Sequence, residues 1–215
     1  EIPRRYLGAY LTNDERFLII SAANTTSGNE IWMKDLHDPN AKFICLVNNF
    51  DKNHAIIDND GEKLFIYTEL DAPNGRVVTA DFSNPGTTSW KTLIAETDQV
   101  LSPSTGGGKI FANYLKDATS LVKQYDRTGK LEREVELPGV GTVAGFGAKD
   151  DDKELYYTFT SYINPGTIYT YDIASGKSDM YKQSTVQFDP NQYESKQVFY
   201  SSKDGTKVPM IITYK

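Results

Sequence analysis

The sequence predicts an all-β fold. Runs of β-branched and aromatic residues alternate with turns rich in Gly, Pro, Asn and Asp along nearly the whole chain. The clearest case is residues 155–172, LYYTFTSYINPGTIYTYD. There, Asn164-Pro165-Gly166 predicts the turn of an antiparallel hairpin with strands at 155–161 and 167–172, because Pro presets φ and Gly tolerates positive φ.

This hairpin recurs at a regular spacing. The predicted third strands of successive units end at Asp35, Asp81, Asp126 and Asp172, which are 46, 45 and 46 residues apart. The second strands are centred near Ile19, Ile66, Ala112 and Tyr157. Four strands in a repeat of roughly 40–50 residues are typical of a β-propeller blade. A β-sandwich also has short strands and turns but needs no fixed period, so a propeller is favoured.

The period predicts four blades, at about 8–49, 50–96, 97–139 and 140–183. Residues 184–195 form a polar connector. A last hairpin follows, with strands at 197–200 and 208–214 around the turn 203–206. Because this hairpin does not follow the period, we expect it to begin another domain.

The four matched aspartates are expected to be structural. A carboxylate that closes a strand can accept backbone N–H hydrogen bonds from the turn that follows, as in an Asx-turn. Four carboxylates placed one per blade cannot form a single catalytic site.

Charge and composition exclude several classes of partner. The net charge is −6, the pI is about 5.0 and no basic cluster is present, which argues against nucleic acid. No apolar run approaches the ~18 residues of a membrane span. The single cysteine, Cys45, lies in the apolar run 43–47 and is expected to be a buried, inert thiol. It does not distinguish cytoplasm from periplasm.

Several short motifs resemble dinucleotide-, phosphate- or calcium-binding sites but lack a feature that each site requires. Residues 139–144 match G-x-G-x-x-A, but Pro138 precedes them and β-type residues follow where a helix is required. Residues 106–109 lack the Ser or Thr that follows Lys in a P-loop. Residues 58–62 hint at a calcium loop, but its twelfth position falls on Tyr67.

The histidines offer no better site. His37 and His54 have no partner at metal-binding spacing, and no G-x-S-x-G motif is present to supply a nucleophile. We therefore expect no catalytic residues, no metal and no cofactor in these 215 residues.

Two C-terminal stretches carry a resemblance to a known family. Residues 157–169 and residues 198–210, VFYSSKDGTKVPM, closely resemble prolyl oligopeptidases. The first stretch is similar to the last propeller blade of that family, and the second to the strands where its chain re-enters the catalytic domain. Gly8-Ala9 and Ile31-Trp32 also resemble one of its middle blades.

The resemblance implies a two-domain serine peptidase that cleaves after proline in short peptides. In this family an α/β-hydrolase domain bears a Ser-Asp-His triad, and a seven-bladed propeller covers the triad and excludes folded proteins. By resemblance, the chain is a partial β-propeller of about four blades with a C-terminal hairpin from the α/β-hydrolase domain. The triad then has no positions here, and the chain alone is expected to be inactive.

The resemblance also implies substrate-pocket residues near the start of the first blade and in its second turn. By position these fall on Tyr6 and on residues 23–26, among them Ala23, Thr25 and Thr26. Vertebrate members have Met at the first position and Arg and Cys in the turn, so this chain departs from that pattern. By resemblance, we expect Tyr6 either to supply an aromatic wall for an apolar substrate side chain or to pack as an ordinary residue at a blade edge, and the second alternative is favoured.

Two functions from different classes follow. In the first, the chain is the non-catalytic propeller portion of a post-proline-cleaving endopeptidase and gates the access of short, proline-containing peptides. Its partners would be those peptides and the remainder of the same protein, namely the catalytic domain and the missing blades. In the second, it is a free-standing propeller scaffold for protein–protein interaction. Because isolated blades leave apolar flanks, we also expect the chain either to self-associate through its first and last blades or to be held by a partner polypeptide that carries the rest of the ring.

Overall fold

The chain folds into antiparallel β-sheets. The computed structural model describes residues 4–187 and 189–215. Within these residues there are four four-stranded sheets and one two-stranded hairpin. In each four-stranded sheet the strands follow one another in chain order, as consecutive hairpins require. No helix in the described residues is long and apolar enough to cross a membrane.

The first sheet consists of β1 (Tyr6–Leu11), β2 (Phe17–Ala23), β3 (Glu30–Asp35) and β4 (Ile44–Val47). The second consists of β5 (His54–Asp60), β6 (Lys63–Thr68), β7 (Arg76–Asp81) and β8 (Lys91–Ile94). The third consists of β9 (Val100–Gly106), β10 (Lys109–Lys116), β11 (Thr119–Asp126) and β12 (Leu131–Glu134). The fourth consists of β13 (Thr142–Gly145), β14 (Glu154–Ser161), β15 (Asn164–Asp172) and β16 (Ser178–Gln183). The hairpin pairs β17 (Glu194–Ser201) with β18 (Lys207–Tyr214).

The chain divides into two compact units, with the boundary between Pro103 and Ser104 along the sequence. The core of the first unit is formed by the facing sides of the first and second sheets. Alternate residues point into it, as the two-residue period of a strand requires: Phe17 and Ile19 are fully buried, whereas Leu18 between them is partly exposed. From the second sheet the core receives Ile56, Leu64, Ile66, Val78 and Ala80.

The core of the second unit is aromatic. Phe146 stacks on Tyr157 with ring centroids 4.7 Å apart, and Tyr157 stacks on Tyr169 at 5.3 Å. Val122 and Phe111, from the sheet that precedes them in the chain, complete the same cluster. Both units therefore bury their apolar side chains between two stacked sheets.

The aspartates that end the third strands have the structural role expected from the sequence. Each carboxylate accepts a backbone N–H from the turn that follows, two or three residues on. The distances are 2.9 Å for His37 N to Asp35, 2.9 Å for Ser83 N to Asp81, 2.8 Å for Thr128 N to Asp126 and 2.7 Å for Ser175 N to Asp172. One aspartate carboxylate therefore closes the turn after the third strand in each four-stranded sheet.

These hydrogen bonds favour the charged form of the carboxylates. The Arg16 guanidinium, whose Nη2 lies 2.8 Å from Asp35 Oδ2, lowers the pKa of Asp35 below its ordinary 3.8. The pKa values of the three equivalent carboxyls are lowered mainly by hydroxyl groups of the turns, which belong to Ser83, Thr128 and Ser175.

The prediction of a turn at Asn164-Pro165-Gly166 is wrong. The chain reverses earlier, at Tyr162 and Ile163, because Ser161 pairs directly with Asn164. Pro165 and Gly166 lie in a bulge of β15, where Pro lacks the N–H that a ladder needs and Gly166 has φ of +120°.

The positions of the strands bear on several further predictions made from the sequence. The motif at 139–144 leads into strand β13 and opens no helix. The two strands of the last hairpin are longer than expected, and β17 begins at Glu194, inside the predicted connector. Phe188, also in that connector, lies outside the described residues. The limits that the sequence placed between successive blades fall between the sheets, whereas the predicted start at Gly8 lies inside β1; the limits stay predictions.

We predict that Asp35→Asn destabilises the fold by about 1–2 kcal/mol at pH 7, because it removes a charge-assisted hydrogen bond to Arg16. Since the pKa of Asp35 is lowered in the folded state, its contribution is fully present above 3.8 and is lost as the pH falls through the lowered value. Urea unfolding between pH 7 and pH 2 should therefore show the gap to the native chain narrowing below 3.8.

The matched control is Asp81→Asn, which keeps an acceptor for the equivalent turn. It should cost less, because the causes that lower the pKa of Asp81 include no basic side chain. A gap for Asp35→Asn that persists unchanged at pH 2 would assign the loss to packing and not to charge.

Candidate functional site

The four site residues expected from the sequence lie at one end of the first sheet. Tyr6 begins β1 and pairs directly with Ala23, the last residue of β2. Thr25 and Thr26 follow in the turn at residues 24–29, which joins β2 to β3 and is called the contact turn below. Both threonines are exposed, and Tyr6 is 65% exposed. These side chains are therefore accessible to a ligand, and Tyr6 is not a core residue.

The exposed half of the contact turn is shaped by its own side chains. Thr25 Oγ1 donates to the carbonyl oxygen of Ser27 at 2.9 Å and accepts from its N–H at 3.4 Å. The chain then turns sharply at Gly28, where φ is +76°. A Cβ at this position would lie 1.8 Å from the carbonyl oxygen of Phe50. Only glycine fits there.

The other half of the contact turn is attached to the second sheet. Asn29 is buried; its Oδ1 accepts from His54 N at 2.7 Å, and its Nδ2 donates to His54 O and Ser21 Oγ at 2.9 Å each. Gly28 N donates to Asn53 Oδ1 at 2.8 Å, and Asn29 N donates to the carbonyl oxygen of Lys52 at 3.1 Å. Every one of these bonds joins residues more than seven positions apart.

Arg5 is a residue of this site that sequence reasoning missed. Its guanidinium donates to Asn24 Oδ1 at 3.2 Å and to Glu30 Oε2 at 3.1 Å, and it stands 5.0 Å from the centre of the Phe50 ring. The contact turn is thus tied to the start of β1. Because the Glu30 carboxylate pairs with the Arg5 guanidinium, the positive charge of Arg5 is largely neutralised at this site. The only signal in the sequence was the position of Arg5 next to Tyr6.

His54 is not poised for catalysis. Its Nδ1 lies 2.9 Å from Thr68 Oγ1, and both residues are buried, Thr68 completely. Burial lowers the pKa of His54, an effect that nearby Glu69 opposes. A buried, neutral imidazole bonded to a buried hydroxyl cannot reach a substrate, so its role is structural.

Cys45 is half-buried and unpaired, and its Sγ donates to the carbonyl oxygen of Val47 at 3.3 Å. Burial raises the pKa of this thiol, away from the reactive thiolate. Among residues 4–187 and 189–215, no group of three or more His, Cys, Asp and Glu side chains could hold a metal ion.

The exposed side chains at this end of the sheet define the contacts that it can make. It presents an exposed phenol ring, two hydroxyls and an amide beside a compensated ion pair. These groups can contact a peptide through an aromatic face and hydrogen bonds.

Comparison with known proteins gives the family. The model described as "Prolyl oligopeptidase, N-terminal beta-propeller domain" matches residues 1–184. The chain belongs to the prolyl oligopeptidase family. The expected partial β-propeller is thereby confirmed, and each four-stranded sheet is a blade.

The curated relatives of this prolyl oligopeptidase chain are whole peptidases. The chain is 50% identical over all of its 215 residues to the prolyl endopeptidases of Elizabethkingia meningoseptica and Elizabethkingia miricola, and it covers 30% of each. It is 29% identical to the prolyl endopeptidase of Dictyostelium discoideum. The chain therefore spans less than a third of the length of these relatives.

Solved structures agree with this assignment. A chain from a study of two prolyl endopeptidases, 34% identical, matches 99% of this chain with a TM-score of 0.87, over 31% of its own length. Apo prolyl oligopeptidase B from Galerina marginata, 27% identical, matches 99% with a TM-score of 0.86, also over 31% of its length. Tyr6, Ala23, Thr25 and Thr26 stay predictions as pocket residues.

We predict that Gly28→Ala destabilises the first unit by at least about 1–2 kcal/mol. The alanine would have to adopt a left-handed backbone conformation, and its Cβ would collide with the carbonyl oxygen of Phe50. Thermal unfolding measures the loss. Gly8→Ala in β1 is the matched control, since a Cβ there meets nothing within 4 Å. Equal stabilities for the two variants would show that the contact turn tolerates displacement.

Proposed function

We propose that the chain is the non-catalytic propeller portion of a post-proline-cleaving serine endopeptidase, and that it gates the access of short, proline-containing peptides to the active site. The observation that carries this proposal is the 50% identity over the full chain with prolyl endopeptidases, of which it covers 30%. The catalytic triad would be supplied by the α/β-hydrolase domain of the same protein.

The geometry of the contact turn supports a gating role. A gate must hold a defined shape, because a mobile edge would admit large substrates and small ones alike. Gly28 and Asn29 attach the contact turn to the second sheet through backbone and amide hydrogen bonds. Tyr6 and the two threonines are then presented on a rigid support, where an aromatic ring can contact an apolar peptide side chain.

The proposal is tested in a hybrid enzyme, in which this chain replaces the matching segment of the Elizabethkingia meningoseptica prolyl endopeptidase. We expect the hybrid to cleave a short proline-containing peptide and to leave the same bond in a folded protein intact. Tyr6→Ala in the hybrid should raise KM about three- to tenfold with kcat unchanged, because an aromatic contact contributes to binding throughout the reaction.

Two controls accompany the hybrid. Tyr181→Ala removes a similarly exposed ring (63%) from β16, the outer strand of the fourth sheet, and should leave KM unchanged. The 215-residue chain alone should not hydrolyse the peptide, nor should a serine-hydrolase probe label it. A folded hybrid that cleaves folded proteins as readily as peptides would refute gating and favour the protein-binding scaffold.

We also propose that the isolated chain self-associates through the uncovered faces of its sheets. All six residues of β1 are exposed, with Leu7 at 70%, whereas its counterpart β5 is largely buried because another sheet covers it. In the fourth sheet, Tyr156 and Tyr181 form an exposed edge-to-face pair. Uncovered apolar sheet faces of this kind favour association with a second copy.

Sedimentation over the micromolar range should give a mass that rises above the 24.1 kDa of one chain. Leu7→Lys should suppress this rise, and Leu131→Lys, on the outer strand β12, should not. A monomer at every concentration, with no bound second chain, would show that the exposed faces are tolerated.

A further inference from the structure

Asn53 lies between two turns of the first unit. Its Oδ1 accepts from Gly28 N of the contact turn at 2.8 Å. Its Nδ2 donates to both carboxylate oxygens of Glu69, at 2.9 and 2.8 Å, and its backbone N donates to Oε2 of the same group at 3.2 Å. Glu69 begins the turn between β6 and β7 of the second sheet. One amide side chain therefore connects equivalent turns of neighbouring blades.

This connection requires a side chain that both accepts and donates, as an amide does. The Gly28 N–H can only donate, and an ionised carboxylate can only accept, so the side chain between them must do both. An aspartate at position 53 could accept from Gly28 but could not donate to Glu69. The two partners thus fix the orientation of the Asn53 amide, with its oxygen toward the contact turn.

The connection continues into the second sheet. Tyr67 OH donates to Glu69 Oε1 at 3.3 Å, and burial raises the pKa of Tyr67 to about 12, so the hydroxyl keeps its proton. The ring of Tyr67 fills the space beside Gly75, where a Cβ would lie 2.4 Å from the ring edge. Glu69 is therefore held from two sides.

We propose that Asn53 is a positioning residue for the contact turn. Through Glu69, it transmits the fixed geometry of the second sheet to Gly28, and so sets where Thr25 and Thr26 stand relative to Tyr6. The effect of this positioning on peptide binding rests on the function proposed above.

The first test is amide hydrogen exchange at Gly28, measured by NMR on the 215-residue chain. In Asn53→Asp, the new carboxylate faces Glu69 without a donor, and the two charges repel each other. We expect exchange at Gly28 to rise roughly tenfold at pH 7.

A second substitution exchanges donor and acceptor. When Glu69→Gln is added to Asn53→Asp, the glutamine amide donates to the new carboxylate, and protection at Gly28 should return to within about twofold of the native value at pH 7. Asn40→Asp, in an exposed turn of the first sheet, controls for added charge and should have no effect.

Native protection of Gly28 in Asn53→Asp at pH 7 would overturn the proposal, and so would failure of the double variant to restore it. The same variants in the hybrid enzyme address function separately. Asn53→Asp should raise KM at least threefold with kcat unchanged, and the double variant should restore KM. If exchange responds and KM does not, Asn53 positions the contact turn but the turn does not contact the peptide.

Discussion

Each of the four-stranded sheets depends on a neighbouring sheet to bury one of its faces. A twisted antiparallel sheet with apolar residues at alternate positions cannot cover them alone. In the first unit, the fully buried Phe17, Ile19 and Met33 form one cluster with Ile56 and Leu64 of the second sheet. In the second unit, the ring of Phe111 from the third sheet packs against Phe146, which directly follows β13, and against Tyr171 of the fourth sheet, with ring centroids 5.5 and 5.9 Å apart. Burial between sheets is the dominant favourable interaction, and the hydrogen-bonded turns are built around it.

Stacked sheets leave polar backbone groups at their ends, and those groups need partners. In the first unit the partners are the buried side chains of Asn29 and Thr68 and the half-buried Asn53. An unsatisfied buried N–H costs about 1–3 kcal/mol, so each of these amides and hydroxyls constrains the turn that it serves. The same contacts that complete the sheet interface therefore determine the shape of the contact turn. The stability of the sheet interface and the shape of the contact turn depend on one set of hydrogen bonds.

The prolyl oligopeptidase family places these blades in the N-terminal β-propeller domain of its peptidases. The contact turn contains no nucleophile paired with a base, and the buried His54 bonds only to a hydroxyl that no substrate can reach.

Much of the fold could be read from the sequence, because the relevant signals are local. The apolar alternation of β2, the repeat of about 46 residues and the Asx-turn at Asp126 each involve residues within a few positions of one another or a simple spacing. The position of the Tyr6 and Ala23 pair came from family resemblance, and the structure placed the two residues side by side.

Tertiary structure alone decided the rest. Asn-Pro-Gly at 164–166 is a strong turn signal, yet strand pairing moved the reversal to Tyr162 and Ile163, since register is set by the burial of a whole face and not by one turn. Arg5 and Asn53 act on the contact turn through partners 19 to 25 positions away. By itself, the sequence determined the period and the local turns of this protein. Which polar side chains meet at the ends of the sheets depended on packing, because hydrogen bonds between distant residues follow from how the sheets stack.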